Sequence, residues 1–344
     1  MRDVIVVNES FERHWSYSAD FARQSWQNSQ SETLQFVRLA PDDHRPLDRL
    51  ELPQDTRRLL VLSFDLDLGD GSFPALPHLK EAAFAEKPAA DEFTANAAAR
   101  GVDVYFPRNE GFWAQSVAEF AIGLTVNGLR RIPQTYAAMR DSLDIWRYYP
   151  GEGNGRPRTR AAQFGDDPGF VSGTVAGKRV RVVGMGNIGT RYASFCSALG
   201  ADVVGWSASA PDPVFHRSGA RRRFRLEELV ADADIFAPMI PHLPATEGLI
   251  TRELIDALPK GCLVVCVTRM QILDSDALRR RVEADELSLA ADVFDIEPLP
   301  LDDPLIGRHN VVHTPHNAGR TLDSNREFAD GLIEQFRRVR PSHP

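Results

Sequence analysis

Three polar residues in the second half of the chain combine the side chains that reversible reduction of a ketone needs. Arg269, Glu297 and His316 each follow a short apolar run. A guanidinium is permanently charged and can hold a carboxylate through two hydrogen bonds, and an imidazolium donates a proton near neutral pH. A neighbouring carboxylate favours the charged imidazole and fixes its tautomer. The three side chains therefore predict a site that reduces a 2-oxo acid.

A glycine-rich stretch upstream of these residues has the spacing of a dinucleotide-binding turn. Gly184, Gly186 and Gly189 form G-x-G-x-x-G between an apolar run and a helical stretch. The first glycine permits a tight turn, the second lets a pyrophosphate approach the backbone, and the third lets the helix pack closely on the strand. Backbone N–H groups at Asn187 and Ile188 would bind the anion. A P-loop is not predicted, because the upstream Gly-Lys pair is followed by arginine instead of serine or threonine.

The strand after this turn does not end in the acidic residue that usually binds the adenosine ribose. An NAD site places Asp or Glu about 20 residues further on, but this strand ends in Trp206 and Ser207, and Asp202 precedes it. No carboxylate would then repel a 2′-phosphate. We therefore expect NADP to be favoured over NAD, with Ser207 and Ser209 as hydroxyl donors and an arginine from 217–225 neutralising the phosphate.

The elements that must position these residues are strands alternating with helices, which indicates parallel sheets. In the second half the predicted strands are Val180–Met185, Val203–Ser207, Ile235–Ile240, Leu263–Thr268, Leu289–Phe294 and Val311–His313. Apolar bursts in the first half are Val4–Val7, Leu59–Phe64 and Val102–Phe106. The predicted fold class is α/β, with two doubly wound parallel-sheet domains, the second a Rossmann dinucleotide-binding domain inserted into the first.

Changes in pattern along the chain place the domain boundaries. Residues 1–115 are predicted to begin the substrate-binding domain, 116–315 to form the dinucleotide-binding domain, and 316–344 to return to the substrate-binding domain. Residues 116–142 carry apolar residues at three- and four-residue spacing, which predicts one long helix. Residues 147–176 are rich in Gly, Pro and Arg, which predicts an arm at the surface or between subunits.

Composition excludes several other classes of protein. The 344 residues are 43% hydrophobic and 26% charged, with a net charge of −8, which disfavours a nucleic-acid binder. No run approaches the roughly 18 apolar residues of a membrane span. Closely spaced histidines near the carboxyl end point to different faces of a strand, so no metal site is predicted. Cys196, Cys262 and Cys266 form no C-x-x-C pair, so we expect a reducing compartment, the cytoplasm.

The chain resembles the D-isomer-specific 2-hydroxyacid dehydrogenase family in four stretches, which are SVAEFAIGLTVNGLRRI, GMGNIG, VVCVTRMQILDSDAL, and ADVFDIEPLP followed by VVHTPHNAG. The resemblance implies that Arg269 orients the substrate, that Glu297 partners the histidine and that His316 is the acid/base. It also implies that Thr268 and Asp292 lie at the cofactor, with Asp292 contacting the nicotinamide carboxamide. Subunits of the family pair through their cofactor domains, so we expect a homodimer.

Departures from the family pattern concern the substrate. The family's loop after the fourth strand usually carries glycines whose N–H groups bind the substrate carboxylate, whereas FAEKPAADEF has none, and Lys87 would supply a point charge instead. Trp113 would form a wall of the pocket. The strand ending GWSAS resembles NADPH-linked reductases of glyoxylate or hydroxypyruvate, which is the substrate class we expect. Phosphite-oxidising relatives also carry a lysine in this loop, so phosphite oxidation stays an alternative.

A non-enzymatic dinucleotide sensor, like the co-repressors that share this fold, is the other function that the sequence leaves open. A sensor has no need of matched acid/base groups, so the Arg–Glu–His set favours an enzyme. The sequence therefore predicts an oxidoreductase that transfers a hydride between NAD(P)H and a small 2-oxo acid to give a D-2-hydroxy acid. We expect no nucleic-acid or membrane partner.

Overall fold

The chain folds as two units, each with a parallel sheet of its own. The computed structural model describes residues 1–28, 33–40, 42–43, 45–63, 75–87, 91–108, 111–142 and 172–336. The first unit comprises Met1–Trp113 and Arg320–Pro344, and the second comprises Ala114–Gly319. Of the predicted arm over 147–176, residues 147–171 lie outside the described part of the chain.

A five-stranded sheet forms the centre of the first unit. Its strands are β1 (Arg2–Asn8), β2 (Leu34–Leu39), β3 (Thr56–Leu62), β4 (Glu81–Phe84) and β5 (Asp103–Tyr105). Its first three helices are α1 (Glu9–His14), α2 (Ser18–Asn28) and α3 (Asp91–Ala99). The strands lie in the order β2-β1-β3-β4-β5, and every neighbouring pair is parallel. This is the strand order of flavodoxin-like doubly wound sheets.

A seven-stranded sheet forms the centre of the second unit. Its strands are β6 (Arg179–Val183), β7 (Asp202–Trp206), β8 (Arg221–Arg222), β9 (Ile235–Pro238), β10 (Leu263–Cys266), β11 (Ser288–Ala291) and β12 (Val311–His313). Its helices are α4 (Ala114–Arg130), α5 (Ile132–Asp141), α6 (Asn187–Ala198), α7 (Asp212–Arg217), α8 (Leu226–Val230), α9 (Arg252–Asp256) and α10 (Ser275–Glu283). The order β12-β11-β10-β9-β6-β7-β8 is all parallel and reverses between β6 and β9, as in a Rossmann sheet.

Both faces of each sheet are buried, which explains why most strands are continuous apolar runs. In β6, Val180 and Val182 pack on the face covered by α4 and α6, while Val183 packs on the opposite face. In the first unit, the final helix α11 (Leu322–Ile333) packs against α2. Its Leu332 joins a cluster that includes Trp26. These elements confirm the predicted α/β class with two doubly wound parallel sheets.

The prediction of one long helix over residues 116–142 is wrong. The helix begins earlier, at Ala114, and two helices, α4 and α5, meet at Arg131. Arg131 has a φ of 50°, in the left-handed region, and so interrupts the helical backbone. Pro133 stands in the first turn of α5, where its missing N–H is tolerated, whereas it would remove a hydrogen bond from the middle of a continuous helix.

Both domain boundaries differ by a few residues from the predicted ones. The first lies between Trp113 and Ala114, because α4 begins at Ala114 and packs on β10 and β11 of the second sheet. The second lies between Gly319 and Arg320, so His316 belongs to the second unit and not to the returning segment.

In the part of the chain that the structure describes, no helix combines the length and the apolar character that a membrane span needs. No group of three or more His, Cys, Asp or Glu side chains within the same ranges is arranged to hold a metal ion.

Candidate active site

The glycine turn connects the carboxyl end of β6 to the first turn of α6. Gly184 has a φ of 95°, and a Cβ there would lie 2.5 Å from Ile240 Cγ2 and 2.9 Å from the Met239 carbonyl oxygen. A Cβ at Gly189 would overlap the carbonyl oxygen of Gly184. A side chain at either position would therefore displace the backbone of the turn, so both glycines are required for this geometry.

The second glycine of the motif leaves an open approach to the helix. A Cβ at Gly186 would meet no atom within 4 Å. Gly186 is the N-cap residue of α6 and has no side chain to bind the first N–H groups of the helix, those of Asn187 and Ile188. This helix start lies at the carboxyl edge of the sheet, where the strand order reverses. The turn therefore fits a pyrophosphate, and residues 184–189 can hold a dinucleotide.

The edge beside β7 offers hydroxyl groups and arginines where an NAD site would usually offer an acid. Ser207 follows β7 and is half-buried, and its Oγ accepts a hydrogen bond of 3.2 Å from the Ala210 N–H. Asp202 lies at the opposite end of β7, bonded to Arg221 at 2.5 Å and to Arg181 at 3.3 Å. Partial burial opposes the charged form, yet these two arginines lower the pKa of Asp202. Asp202 is therefore fixed at the far edge and cannot serve a ribose here.

The structure brings the three residues that the sequence singled out into one contact chain. Arg269 follows β10, Glu297 lies beyond β11, and His316 lies beyond β12, so all three stand past the carboxyl ends of adjacent strands. His316 Nδ1 lies 2.6 Å from Glu297 Oε2, and His316 Nε2 lies 3.3 Å from Arg269 Nη1. Adjacent parallel strands bring their loops to one edge, which is where ligands bind in such sheets.

Glu297 fixes the orientation and tautomer of the imidazole. Its Oε1 accepts a hydrogen bond of 2.8 Å from the Phe294 N–H, which leaves Oε2 directed at His316. Because an ionised carboxylate only accepts hydrogen bonds, Nδ1 of His316 carries the hydrogen in this contact. Nε2 is therefore the nitrogen that can exchange a proton with a substrate.

Arg269 is held by its own backbone at the end of β10. Its Nη1 donates a hydrogen bond of 2.7 Å to the Thr268 carbonyl oxygen and lies beside His316. The buried Thr268 hydroxyl donates to the Pro238 carbonyl oxygen at 3.3 Å, which joins the ends of β9 and β10. Beneath them, burial raises the pKa of the Cys266 thiol to about 12, so this cysteine stays protonated and is part of the core.

A buried carboxylate stands behind the histidine, and sequence reasoning missed its contacts. Asp292 has no exposed surface. It accepts hydrogen bonds from the Thr314 hydroxyl at 2.6 Å, the Asn317 N–H at 3.1 Å and the Ala318 N–H at 2.9 Å. His316 lies between these donors with a φ of 53°, a backbone conformation that costs a non-glycine residue about 1–3 kcal/mol. The threonine two residues before the histidine was the available signal in the sequence.

The two predicted substrate residues belong to the first unit. Lys87 follows β4 and is exposed. Trp113 is partly exposed and packs against Phe112, at a ring-centroid distance of 4.1 Å, and against Trp15 at 6.4 Å. The substrate role of Lys87 and Trp113 stays a prediction.

The second unit combines a glycine turn at the reversal of a Rossmann sheet with an Arg–His–Glu set at the same edge. This combination is typical of the dinucleotide-binding domain of a dehydrogenase. Residues 151–318 of this unit match the family model described as D-isomer specific 2-hydroxyacid dehydrogenase, NAD binding domain. The second unit therefore matches the NAD-binding domain of the D-isomer-specific 2-hydroxyacid dehydrogenase family, in agreement with the resemblance inferred from the motifs.

Individual proteins are similar to this chain in sequence or in fold. D-3-phosphoglycerate dehydrogenase of Methanocaldococcus jannaschii is 29% identical over 225 residues, which is 65% of this chain and 39% of that protein. Glyoxylate reductase of Aeropyrum pernix is 29% identical over 228 residues, 66% of this chain and 63% of that protein. The matched part thus spans less than two thirds of these relatives. D-lactate dehydrogenase with NAD+ from Lactobacillus jensenii has a similar structure, with a TM-score of 0.68 at 18% identity over 95% of this chain and 93% of that one.

Replacing Gly189 with alanine tests whether the glycine turn holds the dinucleotide. The new Cβ overlaps the Gly184 carbonyl oxygen, so we expect the turn to shift and NADH or NADPH to bind at least about tenfold more weakly, a loss of about 1.4 kcal/mol. The measurement is a fluorescence titration of the reduced cofactor, with circular dichroism to verify folding. Gly123→Ala is the matched control, because nothing lies within 4 Å of a Cβ there. Unchanged affinity in the folded Gly189→Ala variant would contradict the assignment.

Proposed function

We propose that this chain is an NAD(P)-dependent oxidoreductase that interconverts a small 2-oxo acid and the corresponding D-2-hydroxy acid. The observation that supports the proposal best is the contact chain from Arg269 through His316 to Glu297, at the carboxyl edge of the unit that carries the glycine turn. When bound, the nicotinamide cofactor supplies or accepts the hydride. The side chains of this unit then have to orient the acid and move one proton.

Arg269 is the group that would hold the substrate anion. Its guanidinium is exposed and remains charged at every physiological pH, and its planar set of donors matches a carboxylate and an adjacent carbonyl oxygen. One side of the guanidinium is held by the Thr268 carbonyl oxygen, so its orientation is restricted before substrate arrives. A prepositioned cation beside the reacting carbonyl stabilises the negative charge that develops on its oxygen.

His316 would move the proton. In the direction of reduction, its protonated Nε2 donates to the carbonyl oxygen as that oxygen becomes an alkoxide, and in the reverse direction neutral Nε2 accepts the hydroxyl proton. Glu297 stabilises the charged imidazole through the 2.6 Å contact with Nδ1 and holds the ring with Nε2 facing Arg269. Proton donor and carboxylate-binding group therefore stand side by side.

Replacing His316 with alanine tests the proposed proton transfer. A general acid typically contributes about 10²–10⁴-fold, so we expect kcat for reduction of a 2-oxo acid to fall by that factor while the affinity for reduced cofactor stays the same. His309→Ala is the control, because His309 is exposed and bonded to Asp285. A loss of less than about tenfold in His316→Ala would overturn the assignment, and a wild-type protein inert toward all 2-oxo acids would favour the sensor function instead.

For the substrate we propose glyoxylate or hydroxypyruvate, and for the cofactor NADP in preference to NAD. One of the relatives is named a glyoxylate reductase. Support for NADP comes from the edge beside β7. Arg223 follows β8 and donates its N–H to the Gly205 carbonyl oxygen at 2.8 Å, which places it next to the end of β7 and Ser207. In the described part of the chain Arg217 and Arg223 form no ion pair, so either side chain is available to a 2′-phosphate.

A kinetic comparison of both cofactors against a panel of 2-oxo acids tests these proposals, with phosphite assayed in the oxidative direction. We expect a higher kcat/KM with NADPH and turnover of glyoxylate or hydroxypyruvate. Arg223→Ser should lower kcat/KM for NADPH by about tenfold or more, since a hydrogen bond to a charged group contributes about 1.5–3 kcal/mol, and leave NADH unaffected. Arg225→Ser is the control, because Arg225 pairs with Glu227 at 3.6 Å. A tenfold preference for NADH would contradict the NADP proposal.

We also propose that the protein is a homodimer joined through its second unit. The support is an apolar surface on α5, where Ile132, Tyr136 and Met139 recur at helical spacing and are all exposed. Sedimentation should show a species of twice the 38.3 kDa chain mass. Ile132→Glu combined with Met139→Glu should convert it to a monomer, whereas Leu199→Glu, at an isolated exposed leucine, should not. A monomeric wild-type protein would contradict this proposal.

The cytoplasm remains the proposed location. Its support is cysteine usage: Cys196, Cys262 and Cys266 are free and buried. Burial raises the pKa of each thiol to about 12, so none is poised to form a disulfide.

A further inference from the structure

We infer that Asp292 is a positioning residue, whose buried carboxylate holds the backbone on both sides of His316 so that the imidazole meets Glu297 and Arg269. The inference rests on the proposed function, because it assigns Asp292 a role toward the proposed acid. It differs from the expectation that Asp292 acts by contacting the nicotinamide carboxamide.

Asp292 joins the His316 segment to the sheet. Asp292 directly follows β11, and its own N–H donates to the carbonyl oxygen of Cys266, the last residue of β10, at 2.9 Å. Its backbone is therefore fixed to the end of β10. Its Oδ1 accepts from the Thr314 hydroxyl and the Asn317 N–H, and its Oδ2 accepts from the Ala318 N–H. The donors lie on both sides of His316. One fully buried carboxylate therefore fixes the segment from two directions.

The conformation that the carboxylate holds is one that the chain would not adopt by itself. His316 has a φ of 53°, in the left-handed region that residues with a side chain rarely occupy. Hydrogen bonds to an ionised acceptor are stronger than those between neutral groups. Three hydrogen bonds to one fully buried carboxylate stabilise this conformation of the segment, and the conformation directs the imidazole toward Glu297.

An amide at position 292 could not replace the carboxylate. Asparagine has one accepting oxygen, which could serve Thr314 and Asn317, but its NH2 group would face the Ala318 N–H, another donor. The buried Ala318 N–H would lose its acceptor, and the segment would relax. His316 would then leave its 2.6 Å contact with Glu297, which affects proton transfer more than cofactor binding.

The kinetic test compares Asp292→Asn with the wild-type protein. We expect kcat to fall by about 10²-fold, the loss that a displacement of about 1 Å produces in a catalytic group. The affinity for reduced cofactor should stay within about threefold of the wild-type value. For comparison, a tenfold change corresponds to about 1.4 kcal/mol. The midpoint of the pH–kcat profile should also move, because a displaced imidazole changes its distance from Glu297 and Arg269, the charged groups in contact with it. A variant that was merely less stable would show a lower kcat at every pH, without a shift of the midpoint of the profile.

Asp295→Asn is the matched control for this comparison. Asp295 lies three residues further along, is partly exposed and pairs with Arg279 at 3.8 Å, so the same chemical change there should leave kcat and the pH profile unaltered. If Asp292→Asn weakened cofactor binding in parallel with kcat and left the pH profile in place, Asp292 would act on the cofactor and the inference would be overturned.

Amide hydrogen exchange tests the same inference without turnover, and so separates it from the proposed function. In the wild-type protein the Asn317 and Ala318 amides should exchange slowly, and in Asp292→Asn they should exchange like exposed loop amides. If Asp292→Asn does not fold, Thr314→Val serves, since it removes one donor and keeps the carboxylate. It should lower kcat by less than Asp292→Asn and preserve the Ala318 protection. Fast exchange of both amides in the wild-type protein would overturn the inference, even if 2-oxo acids are reduced as proposed.

Discussion

The contact between Glu297 and His316 is the interaction on which the candidate site depends. A carboxylate oxygen 2.6 Å from Nδ1 fixes the orientation of the imidazole and leaves Nε2 facing Arg269. The contact exists because β11 and β12 are parallel neighbours, with Ala291 opposite His313, so that the loops that follow them emerge side by side. Arg269 enters from the next strand, β10, and completes the set. The meeting of these three side chains is thus a consequence of the order of three adjacent strands.

The same sheet supplies the dinucleotide-binding turn at its reversal point. Gly184 and Gly189 are each needed because a neighbouring backbone atom occupies the space of a Cβ, whereas Gly186 faces open space at the start of α6. Close packing on one side and openness on the other are what an anion-binding helix start requires. The glycine turn and the Arg–His–Glu set therefore share one edge of one sheet, and the proposed function depends on this arrangement.

Much of the fold could be predicted because its strands are buried on both faces and read as continuous apolar runs. The strands that the sequence did not reveal are β2, β4 and β8, and none of them is a long uninterrupted apolar run; β2 has polar residues at Gln35 and Arg38. β8 has two residues, Arg221 and Arg222, and exists only because β7 offers an edge for pairing. β4 is a four-residue stretch that begins with Glu81. The break at Arg131 was also missed, since the apolar spacing of α4 continues into α5 and only the left-handed backbone separates the two helices.

For the site, the sequence by itself determined the chemical types and their approximate places. Glycine spacing and polar residues at the ends of apolar runs are local features, so Gly184, Arg269 and His316 could be recognised without coordinates. Tertiary structure decided which of these side chains meet, that Asp202 is bound to arginines at the far edge, and that Asp292 accepts hydrogen bonds from both sides of His316. Those contacts depend on strand pairing between residues distant in the chain, and no local pattern encodes a distance across a sheet.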